Sequence, residues 1–480
     1  MQNTHPPVDY PLYLANKAVE TGQWLAVQHK YSQKVYARVA LADEKSIEKA
    51  IRAAVKAEAE MAKLQPFQKQ KILLHCVQRF QNMREELVEI LIAEGGKPRL
   101  AAMAEVERLI NTFQIAADAV SQVDEGRILP LAVTAAAANY QGMVKHVPIG
   151  AVSLISPFNF PLNLTAHKIA PAIAAGCPFV LKPASATPIS ALKIAEVLAE
   201  TDLPKGAFSV LPCEREQADV LVTDDRFKLL SFTGSDVVGW DMKARAGRKK
   251  VTLELGGNAA VMIEPDTELN DALIHRLISG AYNHAGQVCI SVQRILAHDD
   301  VYAELKKKLV SQLKKIKAAD PDLDSTLVGP MIKEAEAQRL KKWIDKAVKK
   351  GAKILAGGEL KGVMFEPTLL EQVDPNLEVY KDEVFGPVAI LEKYSSFEQG
   401  IARINQSRFG LQAGIYTQSL EKMLYAWDQL QVGGVIINDI PSFRVDNMPY
   451  GGVKDSGLGR EGIQSAIRDM QEERLLVIKR

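Results

Sequence analysis

The chain has 480 residues, 47% of them hydrophobic and 24% charged, and at roughly 100–200 residues per domain this suggests two to four folding units. Its 59 basic and 58 acidic residues leave a net charge of +1, which gives no general attraction to nucleic acid or to an anionic membrane. Four cysteines (Cys76, Cys177, Cys213, Cys289) lie far apart, without the paired spacing of a zinc site or a disulfide framework.

Met1 to Pro7 lacks the basic-then-apolar pattern of a secretory signal, and no apolar run reaches the ~18–20 residues of a membrane span. A cytoplasmic enzyme with reduced thiols is therefore expected, and the sequon Asn163-Leu164-Thr165 is read as chance. Periodicity predicts helices over about 44–62, 66–93 and 98–120, the second carrying Ile72, Leu73, Val77, Phe80, Leu87, Ile90 and Leu91. Gly126 and Pro130 punctuate the chain, and Ala132 to Tyr140 is expected as a strand of a projecting hairpin.

From about residue 148, short apolar runs alternate with helices. Strands are expected at Gly150 to Ile155, Phe179 to Leu181, Leu229 to Phe232 and Val251 to Glu254, with helices at about 162–175 and 188–200. A second series begins with a strand at Ala259 to Ile263 and helices at about 270–284 and 300–316. It continues with strands near 388–392, 412–417 and 435–438. This alternation implies parallel sheet with crossover helices and ligands at the carboxyl ends of the strands.

Five segments can carry chemistry. Asn283-His284-Ala285-Gly286-Gln287-Val288-Cys289 puts a thiol after an expected helix, as a nucleophile or as a buried structural cysteine. Glu254-Leu255-Gly256-Gly257 ends an apolar strand in a carboxylate, a general base or a turn cap, before two glycines that admit a close neighbour. Phe232-Thr233-Gly234-Ser235 offers free N–H groups for a phosphate, although Ser235 also suits an ordinary N-cap. Lys182, at a strand end, can grip a ribose or phosphate or reach solvent. Asn159 can donate to an oxyanion or tie its loop. Gly457-Leu458-Gly459-Arg460-Glu461-Gly462 matches a dinucleotide fingerprint but lies too near the C-terminus for the ~30-residue unit that gives the pattern meaning.

Taken in order, Pro157-Phe158-Asn159-Phe160-Pro161, Lys182-Pro183-Ala184, Phe232 to Ser235, Glu254 to Gly257, Gly286 to Cys289, Glu383-Val384-Phe385-Gly386-Pro387 and Pro449-Tyr450-Gly451-Gly452 resemble the aldehyde dehydrogenase superfamily. The resemblance runs from about Leu41 to the end of the chain. It implies an α/β fold with a Rossmann-like cofactor domain (1–125 with 148–256), a catalytic domain (257–455) and a small β-hairpin oligomerisation element (126–147 with 456–480). A homodimer or homotetramer follows from strand addition.

The same resemblance makes Cys289 the nucleophile, Asn159 with the Cys289 N–H the oxyanion hole, and Glu254 the base for deacylation. It seats NAD or NADP against Lys182, Ser185, Gly234, Ser235, Glu383, Phe385 and Phe158, where Trp is common at the last position. Relatives preferring NAD often carry Glu where Ser185 stands, so NADP is not repelled here. Arg108, Asn163, His167 and Arg444 fall at positions flanking the substrate tunnel. They suggest a short polar or anionic aldehyde, such as a semialdehyde, a lactaldehyde or a phosphonoaldehyde, unless the two arginines are spent on acids such as Glu105 and Asp446. The competing readings are a CoA-acylating relative, which often lacks a glutamate at 254, and a non-catalytic family member.

Overall fold

The computed structural model describes residues 7–122 and 126–480. An eight-stranded sheet has five parallel strands at its centre, in the order Lys250–Glu254, Leu229–Thr233, Val152–Ile155, Phe179–Lys182, Phe208–Val210. Gly457–Leu458 closes one edge antiparallel, and Leu12–Leu14 with Lys17–Val19 closes the other. From Val152–Ile155 the chain first builds outward to one side and then returns to the other. The order therefore reverses between that strand and Leu229–Thr233, which opens a crevice at their carboxyl ends. The loop holding Phe158 and Asn159 leaves one of these ends, and Gly234-Ser235 leaves the other.

A seven-stranded sheet runs Lys353–Ala356, Thr368–Glu371, Val388–Tyr394, Arg294–His298, Ala260–Ile263, Gln412–Tyr416, Gly434–Ile437, parallel except at Lys353–Ala356. Glu254 is the last residue of its strand in the first sheet, and Ala260 starts the next strand in the second. One short turn thus joins the two sheets. A third sheet pairs Tyr140–Pro148 with Gln471–Lys479 over nine residues and with Arg127–Leu129. No helix among the described residues is long and apolar enough to cross a membrane.

The helix Glu44–Lys63 starts where Asp43 accepts from the Ser46 N–H at 2.8 Å, and it buries Ile47, Ala50, Ile51, Ala54 and Met61 on one face. The helix expected over 66–93 is two, Pro66–Asn82 and Arg84–Gly95, broken at Met83 with ψ of 8°. In the second of these, Leu87 through Gly95 is buried except Glu89, so the chain must turn to bring this nearly all-apolar segment inward. The strand expected at Ala132 to Tyr140 is corrected. Ala135–Ala137 form a 3₁₀ turn, and the strand begins at Tyr140. An alanine run has little to pack on a pleated surface, so turn geometry wins there. The expected domain boundary at residue 125, and the opening Met1 to Pro6, lie outside the described residues.

Candidate active site

Cys289 sits in the loop after the helix Asp271–Tyr282, half-buried. Before it, His284, Ala285 and Gly286 are all left-handed, with φ of 51°, 53° and 64°. Such a conformation costs about 1–2 kcal/mol for each residue bearing a Cβ, so the loop must be held from outside. Gln287 clamps it, because its Oε1 accepts from the Ile332 N–H at 2.9 Å while its carbonyl accepts from Asn159 Nδ2 at 3.0 Å. Gly286 abuts Gly386, where an added Cβ would lie 2.1 Å from the carbonyl oxygen.

The double glycine after Glu254 explains how the parts meet. A Cβ on Gly257 would fall 2.2 Å from the Cys289 carbonyl oxygen, and one on Gly256 would fall 2.6 Å from Glu383 Oε2. Gly257 N–H also donates to Glu383 Oε1 at 2.9 Å. One turn therefore carries Glu254, backs the Cys289 loop and receives Glu383. On the far side Gly451 makes room for Glu254, since a Cβ there would come within 2.8 Å of Oε1.

Electrostatics set the resting protonation. Burial pushes the Cys289 thiol up to about 12, opposed by a hydrogen bond with the Tyr450 hydroxyl at 3.1 Å. Burial thus opposes ionisation of the sulfur, and the Tyr450 hydrogen bond and the Arg444 charge favour it. Glu254 is buried, and neither carboxyl oxygen has a hydrogen-bond partner among the described residues. Burial, and then the charge of Glu461, raises it well above the carboxylate range. Glu461 titrates the other way. Against its own burial, Lys168 at 3.1 Å and Arg444 at 3.3 Å hold it down to about 2. Burial raises Glu383 to about 8, partly offset by the Gly257 N–H.

The groups expected around a cofactor include residues at the strand ends of the first sheet, Lys182 and the loops holding Phe158 and Gly234. Phe158 and Phe385 meet edge to face, 5.7 Å between centroids. Lys182 makes no ion pair among the described residues, and its only hydrogen bond is 3.3 Å to the neighbouring Pro183 carbonyl. Burial lowers its pKa. Ser235 is the N-cap of the helix Asp236–Arg245, yet its hydroxyl makes no capping bond. Gly234 has no space for a side chain, because a Cβ would be 2.4 Å from the Phe232 ring. Ser185 is exposed. A free hydroxyl at a helix amino end, an unpaired ammonium and bare backbone fit a nucleotide with phosphates.

A cavity of about 290 Å³ opens onto Cys289, with Arg108, Phe160, His284, Phe443, Arg444 and Tyr450 in its wall. The Arg108 fork is taken by Asp446, at 2.6 Å from NH2 and 3.2 Å from Nε. His167 Nε2 lies 2.9 Å and Asn163 Nδ2 3.2 Å from that same carboxylate oxygen, and neither residue lines the cavity. The expectation that Asn163 and His167 face the substrate is thus corrected. They are buried, and Asn163 Oδ1 accepts from Thr112. Arg444 differs. Its side chain is 6% exposed, its Nε has no partner, and its guanidinium lies 3.7 Å over the Tyr450 ring. Glu105 pairs with Lys97 and accepts from the Leu162 and Asn163 N–H groups, which seats the helix that follows the Asn159 loop.

Asp446→Asn should cost about 3 kcal/mol, because it leaves the Arg108 charge without its partner beside buried polar groups. Against burial, His167 and Arg108 depress the Asp446 pKa. Its contribution is therefore full above the unfolded value of about 4 and is lost as the pH falls below it. Thermal unfolding of both proteins across that range checks this; equal acid sensitivity would refute it.

The aldehyde dehydrogenase family model matches residues 17–476. The chain belongs to the aldehyde dehydrogenase family. It is 39% identical over 471 residues to 3-sulfolactaldehyde dehydrogenase of Priestia megaterium, covering 98% of each protein. Aldehyde dehydrogenase 21 from Physcomitrella patens, solved with the reaction product succinate, superposes with a TM-score of 0.98 at 47% identity over 99% of both chains. Glyceraldehyde-3-phosphate dehydrogenase from Methanocaldococcus jannaschii, solved with NADP, gives 0.91 at 35% identity over 96% of this chain and 100% of the other. This aldehyde dehydrogenase is accordingly an NAD(P)-dependent oxidoreductase acting on aldehydes. Tyr450, Lys97 and Glu461 had no role assigned from sequence. Tyr450 lies 161 positions from Cys289, and no local spacing relates the two.

Proposed function

We propose that this enzyme oxidises a short aldehyde with an anionic head group to the carboxylic acid. The observation that carries the reading is Arg444, in the wall of the cavity that opens onto Cys289, a nearly buried guanidinium whose NH2 pairs with Glu461 but whose Nε has no partner among the described residues. A buried cation with unspent donors favours a ligand that brings a carboxylate, sulfonate or phosphate. The relatives named for 3-sulfolactaldehyde and glyceraldehyde-3-phosphate, and the one solved with succinate, support that class. Arg108, already engaged by Asp446, serves to hold the wall.

In this reading the Cys289 sulfur attacks the aldehyde carbon, and the growing negative charge on oxygen is met by the Cys289 N–H and by Asn159. Only one Nδ2 hydrogen of Asn159 is committed to Gln287, which leaves the second to donate. Hydride acceptance is the chemistry that a bound NAD(P) supplies, seated along Lys182, Ser185, Gly234, Ser235, Glu383, Phe158 and Phe385. Glu254 takes a proton from the water that cleaves the Cys289 acyl thioester, and its presence favours hydrolysis over transfer to coenzyme A. Exposed Ser185 carries no negative charge against a 2′-phosphate, so NADP is accepted alongside NAD.

We assign residues 257–455 to the catalytic domain, 1–125 with 148–256 to the cofactor domain, and 126–147 with 456–480 to the oligomerisation element. Its long strand Gln471–Lys479 leaves Leu475, Leu476, Val477 and Ile478 exposed, which supports a homodimer or a dimer of dimers.

The test compares kcat/KM for succinate semialdehyde, 3-sulfolactaldehyde and lactaldehyde against hexanal, with both cofactors. Anionic aldehydes should lead. Arg444→Met should lower their kcat/KM relative to hexanal by roughly 10–10²-fold, the worth of a charged hydrogen bond. A preference for hexanal, or an unchanged ratio in the variant, would rule the anionic class out.

A further inference from the structure

The sulfur of Cys289 has a single hydrogen-bond partner among the described residues, the Tyr450 hydroxyl at 3.1 Å. Tyr450 is 3% exposed and is fastened on three sides. Its backbone N–H donates to the Glu461 carbonyl at 3.0 Å, and its carbonyl accepts from the Glu461 N–H at 2.6 Å. Its ring packs in a small apolar cluster with Ile290 and Leu411. The guanidinium of Arg444 covers the ring at 3.7 Å. A phenol so held cannot swing away when the sulfur changes charge.

The direction of the bond decides its chemistry. Against a neutral thiol, either partner can donate. Against a thiolate only the phenol O–H can, and a hydrogen bond to an ionised acceptor is about twice as strong as a neutral one. The contact therefore gains strength when the sulfur ionises. We propose that Tyr450, backed by Arg444, is a catalytic residue that donates a hydrogen bond to the Cys289 sulfur and stabilises its thiolate. On ionisation the S–H bond breaks heterolytically, both electrons stay on sulfur, and the proton leaves through the cavity to solvent. The proposal rests on Cys289 being the nucleophile.

The charges around the pair can be named. Arg444 favours the thiolate, and the carboxyls of Glu254 and Glu383 oppose it when ionised. Elsewhere on the cavity wall, Lys97 is paired with Glu105, Arg108 with Asp446 and Arg276 with Asp439, while burial and Lys97 keep His284 neutral. Arg444, although its NH2 pairs with Glu461 at 3.3 Å, is the cation that lies over the Tyr450 ring and favours the thiolate. Burial opposes ionisation of this thiol, and the phenol contact acts against it.

Alkylation of the full-length enzyme by iodoacetamide, followed by mass across a pH series, reads the sulfur directly, whether or not any aldehyde is turned over. A failure of this proposal is thereby separated from a failure of the proposed function. Tyr450→Phe keeps the ring and its packing but removes the donor. It should raise the pH midpoint by about one unit and slow alkylation at mildly alkaline pH roughly tenfold. A ring-fluorinated tyrosine installed at position 450 changes the shape hardly at all and makes the phenol a stronger donor. It should shift the midpoint downward, which keeps the test open if the phenylalanine variant folds poorly. An unchanged midpoint in either protein overturns the proposal. A downward shift in Tyr450→Phe does so as well, since it would mean that the phenol accepts from a thiol and holds it neutral.

Discussion

Cys289→Ala should lower aldehyde turnover roughly 10⁴-fold or more, with nucleotide binding retained. No other thiol can substitute. Cys76, Cys177 and Cys213 are buried at 0–1% exposure. None of them lines the cavity at Cys289. The measurement is NAD(P)H appearance with an anionic aldehyde, paired with a fluorescence titration of the nucleotide. Residual turnover above about one per cent of wild type would exclude the sulfur as the nucleophile.

Glu254→Gln should separate the two halves of the reaction. Loss of a general base costs about 10²–10⁴-fold, and here it falls on thioester hydrolysis alone. A first burst of NAD(P)H near one per site should survive, followed by slow turnover, with the acyl group on Cys289 visible by mass spectrometry. The amide should fold well, because neither carboxyl oxygen has a partner to lose. The sign of the pH effect follows from the raised pKa, which burial and Glu461 produce. Only the ionised carboxylate is a base, so steady-state turnover of the wild type should climb with pH above the ordinary carboxylate range. That limb should vanish in the glutamine variant. Loss of the burst together with the steady state would place Glu254 in the first half-reaction instead.

Elements with one strong period were legible in the sequence, and those shaped by tertiary demands were not. Glu44–Lys63 and Asn163–Ala175 stand close to where periodicity predicts them, since apolar spacing and caps act locally. The five strands between Val8 and Ala40 are three to six residues long and were not foreseen. They are too short to show a period, and they pair mostly with one another, while Leu12–Leu14 also reaches a distant strand where Tyr13 meets Val210. The helix Glu334–Lys349 was also passed over, although Ala337, Leu340, Ile344 and Ala347 give it a clear buried face; its many lysines masked the pattern.

At the site, Glu254 is readable because the glycine pair after it marks a close approach, Cys289 because a thiol follows an expected helix, and Glu383 only through the family resemblance; the structure brings all three around Gly256 and Gly257. Asn163 and His167 misled for a different reason. A polar residue on a helix beside a pocket looks like a ligand until its acid is known. That acid, Asp446, is some 280 positions away, and only the fold discloses it.

Adjacent residues of one turn meet the Cys289 carbonyl and the Glu383 carboxylate. At Gly257 every other amino acid would drive a carbon into a carbonyl that cannot yield, and at Gly256 it would displace the carboxylate of Glu383. Drift is closed at the first position and constrained at the second. Because one turn both receives Glu383 and backs the Cys289 loop, a change that moves Glu383 bears on the seat of the sulfur, and the two positions are free to evolve only in step.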